Sequence, residues 1–337
     1  MQVSKWRQFR VLILIITLGI SHSGIAQNPT FRQLYSQRHL TNPSLIGTGQ
    51  INNTQTARIS SGTKAQWFAL GKRLFTQSLS IDSRINKTSA SYQFGAIASD
   101  YLSGSENRSK YSHFSMNAGY AYDLKLKTQH HLRLGLSLQY SSFTFGSDQF
   151  LWEDQINAAN TGFVKPTEEA LTQLTKNVFH ASTGVLYYSD KIFLGVSAMN
   201  INQPDISFFN EGIQSLPMNL FIQAGWKISN STNGFDFIPS VMYQIQGEMH
   251  SRSMMLNGRK DNFRMGAGIQ NTETLNQQAF SFNYYFGARY GIYYVGYSND
   301  WNFSVKNSAL PLTHEFSLII FPYQLQGEAQ PNPFPEF

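Results

Sequence analysis

In the stretch 131–140, Leu132, Leu134, Leu136, Leu138 and Tyr140 take every even position, with Arg133, Gly135, Ser137 and Gln139 between them. An extended strand points successive side chains to opposite faces, so this segment has one apolar and one polar face along its whole length. The same alternation sets Phe114, Met116, Ala118, Tyr120 and Tyr122 against Ser115, Asn117, Gly119 and Asp123. It returns in Met218, Leu220, Ile222, Ala224 and Trp226, and in Phe263, Met265, Ala267 and Ile269 opposite Arg264, Gly266, Gly268 and Gln270. Runs of about nine to eleven such residues are as long as a tilted strand must be to cross a bilayer. A soluble β-sandwich also alternates, but its strands are typically about five or six residues long.

Between turn signals the chain reads as about fourteen strands, near Thr54, Gln77, Ala90, Phe114, Leu134, Ala181, Leu194, Ile222, Val241, Met254, Gly266, Phe282, Tyr294 and Leu318. The expected fold is all-β, a transmembrane antiparallel β-barrel with long extracellular loops and short periplasmic turns. Connections at 86–88, 127–129, 189–190, 230–233 and 258–261 are tight, whereas 146–176 and 202–215 are long. With the N-terminus in the periplasm, each of these tight turns follows an even-numbered strand, as the barrel rule requires. Tyr187-Tyr188, Tyr284-Tyr285 and Tyr293-Tyr294 fall near strand ends and are expected to form aromatic girdles. An open sheet in lipid would leave its edge N–H and C=O groups unpaired, so closure is required.

The termini suggest export. Lys5, Arg7 and Arg10 precede an apolar run at 11–20 and then Gly24-Ile25-Ala26, the pattern of a signal peptide over 1–26. The run is about half of what a spanning helix needs. The barrel is then expected over 27–325, with a short periplasmic N-terminal segment. A Pro-rich periplasmic tail follows at 326–337, where Pro331, Pro333 and Pro335 cannot donate ladder bonds. Charged residues make up 14% of the chain, against about a quarter in ordinary soluble domains. The net charge of +6 is gathered into no basic stripe, so nucleic acid is not an expected partner, whereas outer-membrane lipid is. With no cysteine, hydrogen bonding rather than disulfides must hold the fold.

No residue constellation calls for catalysis, a cofactor or a metal. His130 and His131 are adjacent, so strand geometry aims their rings to opposite faces. Gly266-Ala267-Gly268 lacks the third glycine and the helix of a dinucleotide site, and is better explained by neighbouring bulky aromatics. Gly195-Val196-Ser197 does not complete a nucleophile elbow, because Met199 holds the last glycine position. Asp100 and His113 are expected to meet at the outer rim, where an acid/base pair is conceivable and solvated rim charge is the default. The expected role is non-enzymatic, with a porin-like diffusion channel as the alternative.

Taken in order, the motifs resemble the PorP/SprF family of outer-membrane proteins of type IX secretion and gliding systems in the Bacteroidetes. The resemblance runs through Tyr35-Ser36-Gln37, then Asn42-Pro43-Ser44-Leu45-Ile46-Gly47, then Lys64-Ala65-Gln66-Trp67 leading to Thr76-Gln77-Ser78-Leu79-Ser80-Ile81-Asp82. Ser99-Asp100 with Gly104, Ala121-Tyr122-Asp123-Leu124 and Gly184-Val185-Leu186-Tyr187-Tyr188 continue it. Thr63-Lys64 stands where the family usually has Tyr-Arg, and a lysine lacks the bidentate fork of an arginine. The resemblance implies structural roles for Asn42, Pro43, Gly47, Asp100 and Gly104. It also implies export or surface anchoring of a secreted cargo carrying a C-terminal sorting domain, with periplasmic ring components as further partners. Lys64, Gln66, Trp67, Phe150, Trp152 and Phe163 are the expected partner contacts, the last three on a long outer loop rich in aromatics.

Overall fold

A computed structural model describes residues 31–33, 36–48, 57–66, 72–85, 89–103, 109–145, 174–208, 214–230, 234–275, 277–303 and 313–322. The expected signal peptide and the 326–337 tail lie outside these residues. The alternating segments form strands β1 (Ala57–Gln66), β2 (Lys72–Arg84), β3 (Ala90–Ser103), β4 (Ser109–Lys127) and β5 (His130–Phe145). After the long loop come β6 (Leu174–Ser189), β7 (Ile192–Met199), β8 (Asn219–Trp226), β9 (Ile228–Asn230) and β10 (Phe235–Gln246). The set ends with β11 (Met249–Lys260), β12 (Phe263–Thr274), β13 (Gln277–Tyr290), β14 (Tyr293–Asn302) and β15 (Thr313–Ile320).

Each strand pairs antiparallel with its neighbours. β8 and β9 both pair with β10 and are two pieces of one stave, parted at Lys227, whose N–H donates to the Lys191 carbonyl. β1 pairs with β2 on one side and with β15 on the other, from Ile59 opposite Ile320 to Ala65 opposite His314. The sheet is therefore a closed barrel of fourteen staves, the number read from the sequence. Closure pairs the backbone groups that an edge would expose to hydrocarbon.

The two faces follow the alternation. On β5, Leu134, Leu136 and Leu138 are exposed to the outside, whereas His131, Arg133 and Gly135 are buried toward the lumen. Exposed apolar side chains continue around the barrel as Leu79, Phe94, Met116, Leu194, Met254 and Phe316. In water such a belt would drive association, and in lipid it is solvated. Leu136 is 61% exposed, so Leu136→Arg is expected to cost about 2 to 4 kcal/mol near the bilayer midplane. Urea unfolding in lipid vesicles would read the loss, and wild-type stability of the variant would overturn this register.

Three details differ from the sequence reading. The paired tyrosines do not all join a girdle: Tyr188, Tyr285 and Tyr294 are buried in the lumen and only their neighbours face outward, because adjacent strand residues must point opposite ways. The hairpins joining β10 to β11 and β12 to β13 are tight yet lie at the long-loop end, so short turns are not confined to the periplasmic end. Residues 31–33 and 36–48 do not lie in the periplasm. They are packed inside the barrel, where nearly all of them are buried.

Candidate functional site

A barrel of fourteen staves is wide enough for an aqueous lumen unless something fills it. Here the chain's own N-terminal segment does. Its turn at Asn42-Pro43 begins a short 3-10 turn over Pro43–Leu45, with the Asn42 side chain accepting from the Ser44 N–H at 2.9 Å. Pro43 fixes its own φ and lacks the N–H that would otherwise go unpaired there. Gly47 closes the turn at φ +72, a left-handed conformation favouring glycine, and its N–H donates to Asp82 at 2.9 Å.

The wall is hollowed to receive this turn. Gly119, Gly135, Gly184 and Gly195 lie on four neighbouring strands and face the lumen. A Cβ on Gly135 would stand 2.2 Å from the Ser44 nitrogen, and one on Gly119 2.3 Å from the Ile46 side chain. On Gly184 it would stand 2.0 Å from the Asn42 oxygen. Only glycine lets plug backbone lie directly on the sheet. Leu45 then packs among Leu186, Tyr188 and Phe193.

Polar clamps hold the plug at both ends. Arg133, fully buried, donates to the Ser44 carbonyl at 2.7 Å, to the Ile46 carbonyl, and to the Ser91 hydroxyl at 2.7 Å. Across the lumen Arg32 pairs with Asp300 at 2.7 Å, and its backbone N–H donates to Glu315. Gln33 reaches Ser298 and the Glu315 carbonyl, and Ser197 donates to the Thr41 carbonyl. Two buried ion pairs brace the wall, Arg58 with Asp82 at 2.8 Å and Lys64 with Glu315 at 3.2 Å, and the His131 ring lies 3.1 Å from Asp123. Such pairs survive burial only when their remaining valences are also met.

A second element narrows the long-loop end. In the loop before β8, Ile206 and Leu216 fold against Phe143 and Val178, with Tyr111 and Phe208 at the edge. Asp205 organises this loop by accepting from the Ser207 hydroxyl and N–H and from Lys176. Those donors hold its carboxyl well below the usual carboxylate range.

The expected contact residues separate. Lys64 is not an exposed partner residue: strand parity puts it on the lumen face of β1, buried beside Glu315. Gln66 ends β1 half-buried. Trp67, Phe150, Trp152, Phe163 and Gly104 lie outside the described residues. Asp100 and His113 do not form a rim pair. His113 faces the lumen opposite Ser99, stacked on Phe143 and near Ser141, whereas Asp100 points outward from the next position. His130 and His131 diverge as expected, one to Tyr187 and the other to Asp123. Among the described residues no group of three or more His, Cys, Asp or Glu could hold a metal ion.

The order of motifs along the chain, from Asn42 to the final strand, is also what a family model recognises: the type IX secretion system membrane protein PorP/SprF matches residues 23–320. The chain belongs to the PorP/SprF family. This PorP/SprF protein resides in the outer membrane, and its fold is shared with solved outer-membrane barrels of very different sequence. The Ralstonia pickettii toluene transporter TbuX is 8% identical, with a TM-score of 0.54 over 86% of this chain and 94% of that one. A Pseudomonas aeruginosa FadL homologue is 9% identical, with a TM-score of 0.46 over 83% and 98%. No curated protein sequence matches the chain.

Proposed function

We propose that this PorP/SprF protein is a non-enzymatic outer-membrane component of type IX secretion that helps to export, or to anchor at the cell surface, a cognate secreted protein such as an adhesin. The observation that carries the reading is the filled lumen. Residues 31–33 and 36–48 are fixed by the Arg32–Asp300 ion pair, by the Arg133 hydrogen bonds and by a glycine-lined wall, so the barrel presents a rigid platform with shaped ends. A diffusion channel calls for an open polar lumen, and this one is occupied along the β4–β7 wall and at β14 and β15. The chain's own residues bind, orient and seal, and the functional contacts fall to its two ends. Membership of the family supports a cargo with a C-terminal sorting domain and periplasmic ring components as the partners of this reading.

The test is an affinity purification of the tagged full chain from detergent-solubilised outer membranes of its native host, with co-purifying proteins identified by mass spectrometry. Recovery of a large secreted protein with a C-terminal sorting domain, or of ring components, is the expected outcome. The barrel recovered alone and conducting ions in planar bilayers would return the reading to a porin.

A further inference from the structure

Between the plug and the wall on the side of β7 to β13 lies a cavity of about 80 Å³, by its size room for about three waters. Its lining is mostly apolar, with Leu45 of the plug facing Phe193, Ile238, Met242, Met255 and Tyr285 of the wall. Among its polar members, which include Ser240, Ser253 and Asn257, Gln223 on β8 is 6% exposed and its amide nitrogen has no hydrogen-bond partner. A second unpartnered donor lies beside it. The Asn42 amide is oriented by Ser44, which donates to its oxygen, and its NH2 is left without an acceptor. Both NH2 groups come within 3.1 Å of the place where a Cβ on Gly195 would stand.

Buried amide donors are ordinarily paired, so an unmet one in the lining of a largely apolar space, with a second close by, asks for an acceptor. We infer that this cavity is a binding site for a small uncharged molecule with a compact apolar body and one hydrogen-bond acceptor, such as a short-chain ketone. The apolar lining takes the body, and the thioethers of Met242 and Met255 adapt to its shape. Gln223 donates to the acceptor. The ligand is uncharged because most of the surface it meets is apolar and would desolvate a charge; of the two guanidiniums in the lining, Arg32 is paired with Asp300 and Arg38 donates to Thr48. The site is independent of cargo handling. It is formed only while the plug is seated, since Arg32, Arg38 and Leu45 of its lining belong to the plug.

The probe pair is fluoroacetone and 1-fluoro-2-methylpropane, alike in shape but only the first bearing a carbonyl. Each is titrated into the full chain in lipid nanodiscs and followed by fluorine NMR, with empty nanodiscs as the blank for partitioning into lipid. Saturable binding of the ketone is expected, and Gln223→Leu weakens it about tenfold, the size of one net hydrogen bond. The same variant leaves the fluoroalkane within about twofold. Ile238→Trp fills the space and abolishes binding of both, and Met255→Trp does the same from the neighbouring strand should the first variant fail to fold. Heat-modifiable migration on gels certifies the barrel in each case. No saturable component above the blank, or binding that survives a filled cavity, overturns the site. Equal weakening of both probes by Gln223→Leu overturns the donor assignment.

Discussion

Gly135→Val is expected to expel the plug and turn a silent barrel into an open pore. The added Cβ would sit 2.2 Å from the Ser44 nitrogen and 2.3 Å from the Pro43 carbonyl carbon. These are backbone atoms, held by Arg133 on one side and by a proline on the other, so no flexible side chain can move aside. Overpacking usually costs about 1 to 3 kcal/mol, and the upper end applies where the obstacle cannot relax. The barrel wall has its own ladder and survives, so the turn at 42–46 must lift. In planar bilayers the wild type is expected to show no steady conductance and the variant large, stable steps. Ala118→Val adds similar bulk on the lipid face and should remain silent. A silent Gly135→Val barrel of normal heat-modifiability would show that the plug does not seal the lumen.

The second large effect is expected at Asp82. Its carboxylate receives Arg58 at 2.8 Å and the Gly47 N–H at 2.9 Å, and both side chains of the pair are almost wholly buried. Asp82→Ala takes the carboxylate from a guanidinium that cannot reach water and the acceptor from the plug's closing turn. Removing one partner of a buried pair typically costs about 3 to 5 kcal/mol, most of it the uncompensated charge left behind. Urea unfolding in vesicles should show that loss. The double variant Arg58→Met/Asp82→Leu should recover much of it, because a well-packed apolar pair avoids the desolvation that the ion pair incurs. A double variant as unstable as Asp82→Ala would mean that the carboxylate acts through the plug and not through Arg58.

The wall could be read in the sequence and the plug could not, for a physical reason. A strand with lipid on one side and a polar lumen on the other writes its two environments into alternate residues, as in Leu132 to Tyr140, and fourteen staves follow from counting. The plug has no such period: it is a polar stretch with Gly and Pro, the composition of a loop, and it is buried because the wall makes room. The signal was on the strands. Gly119, Gly135, Gly184 and Gly195 each stand at a lumen-facing position, which marks close backbone approach. Lys64 likewise shares its face of β1 with Arg58, Ser60 and Gly62, so parity pointed it inward beside Glu315. The cavity around Gln223 was beyond reach, since it forms between segments far apart in the chain.

The plug's contacts also fix an order of assembly. The Arg32 N–H donates to Glu315, a separation of 283 residues, and Lys64 of β1 meets that same carboxylate where β1 closes on β15. Arg32, near the start of the chain, thus finds its acceptors on the last two strands, at Asp300 and Glu315. Contacts of such long range form late, because the intervening chain must first be brought together. The stretch at 31–33 is therefore the last piece to settle, and its seating reports that the first and last strands have met. A chain stalled before closure carries an unseated leader, a difference that limited proteolysis can read directly on folding intermediates.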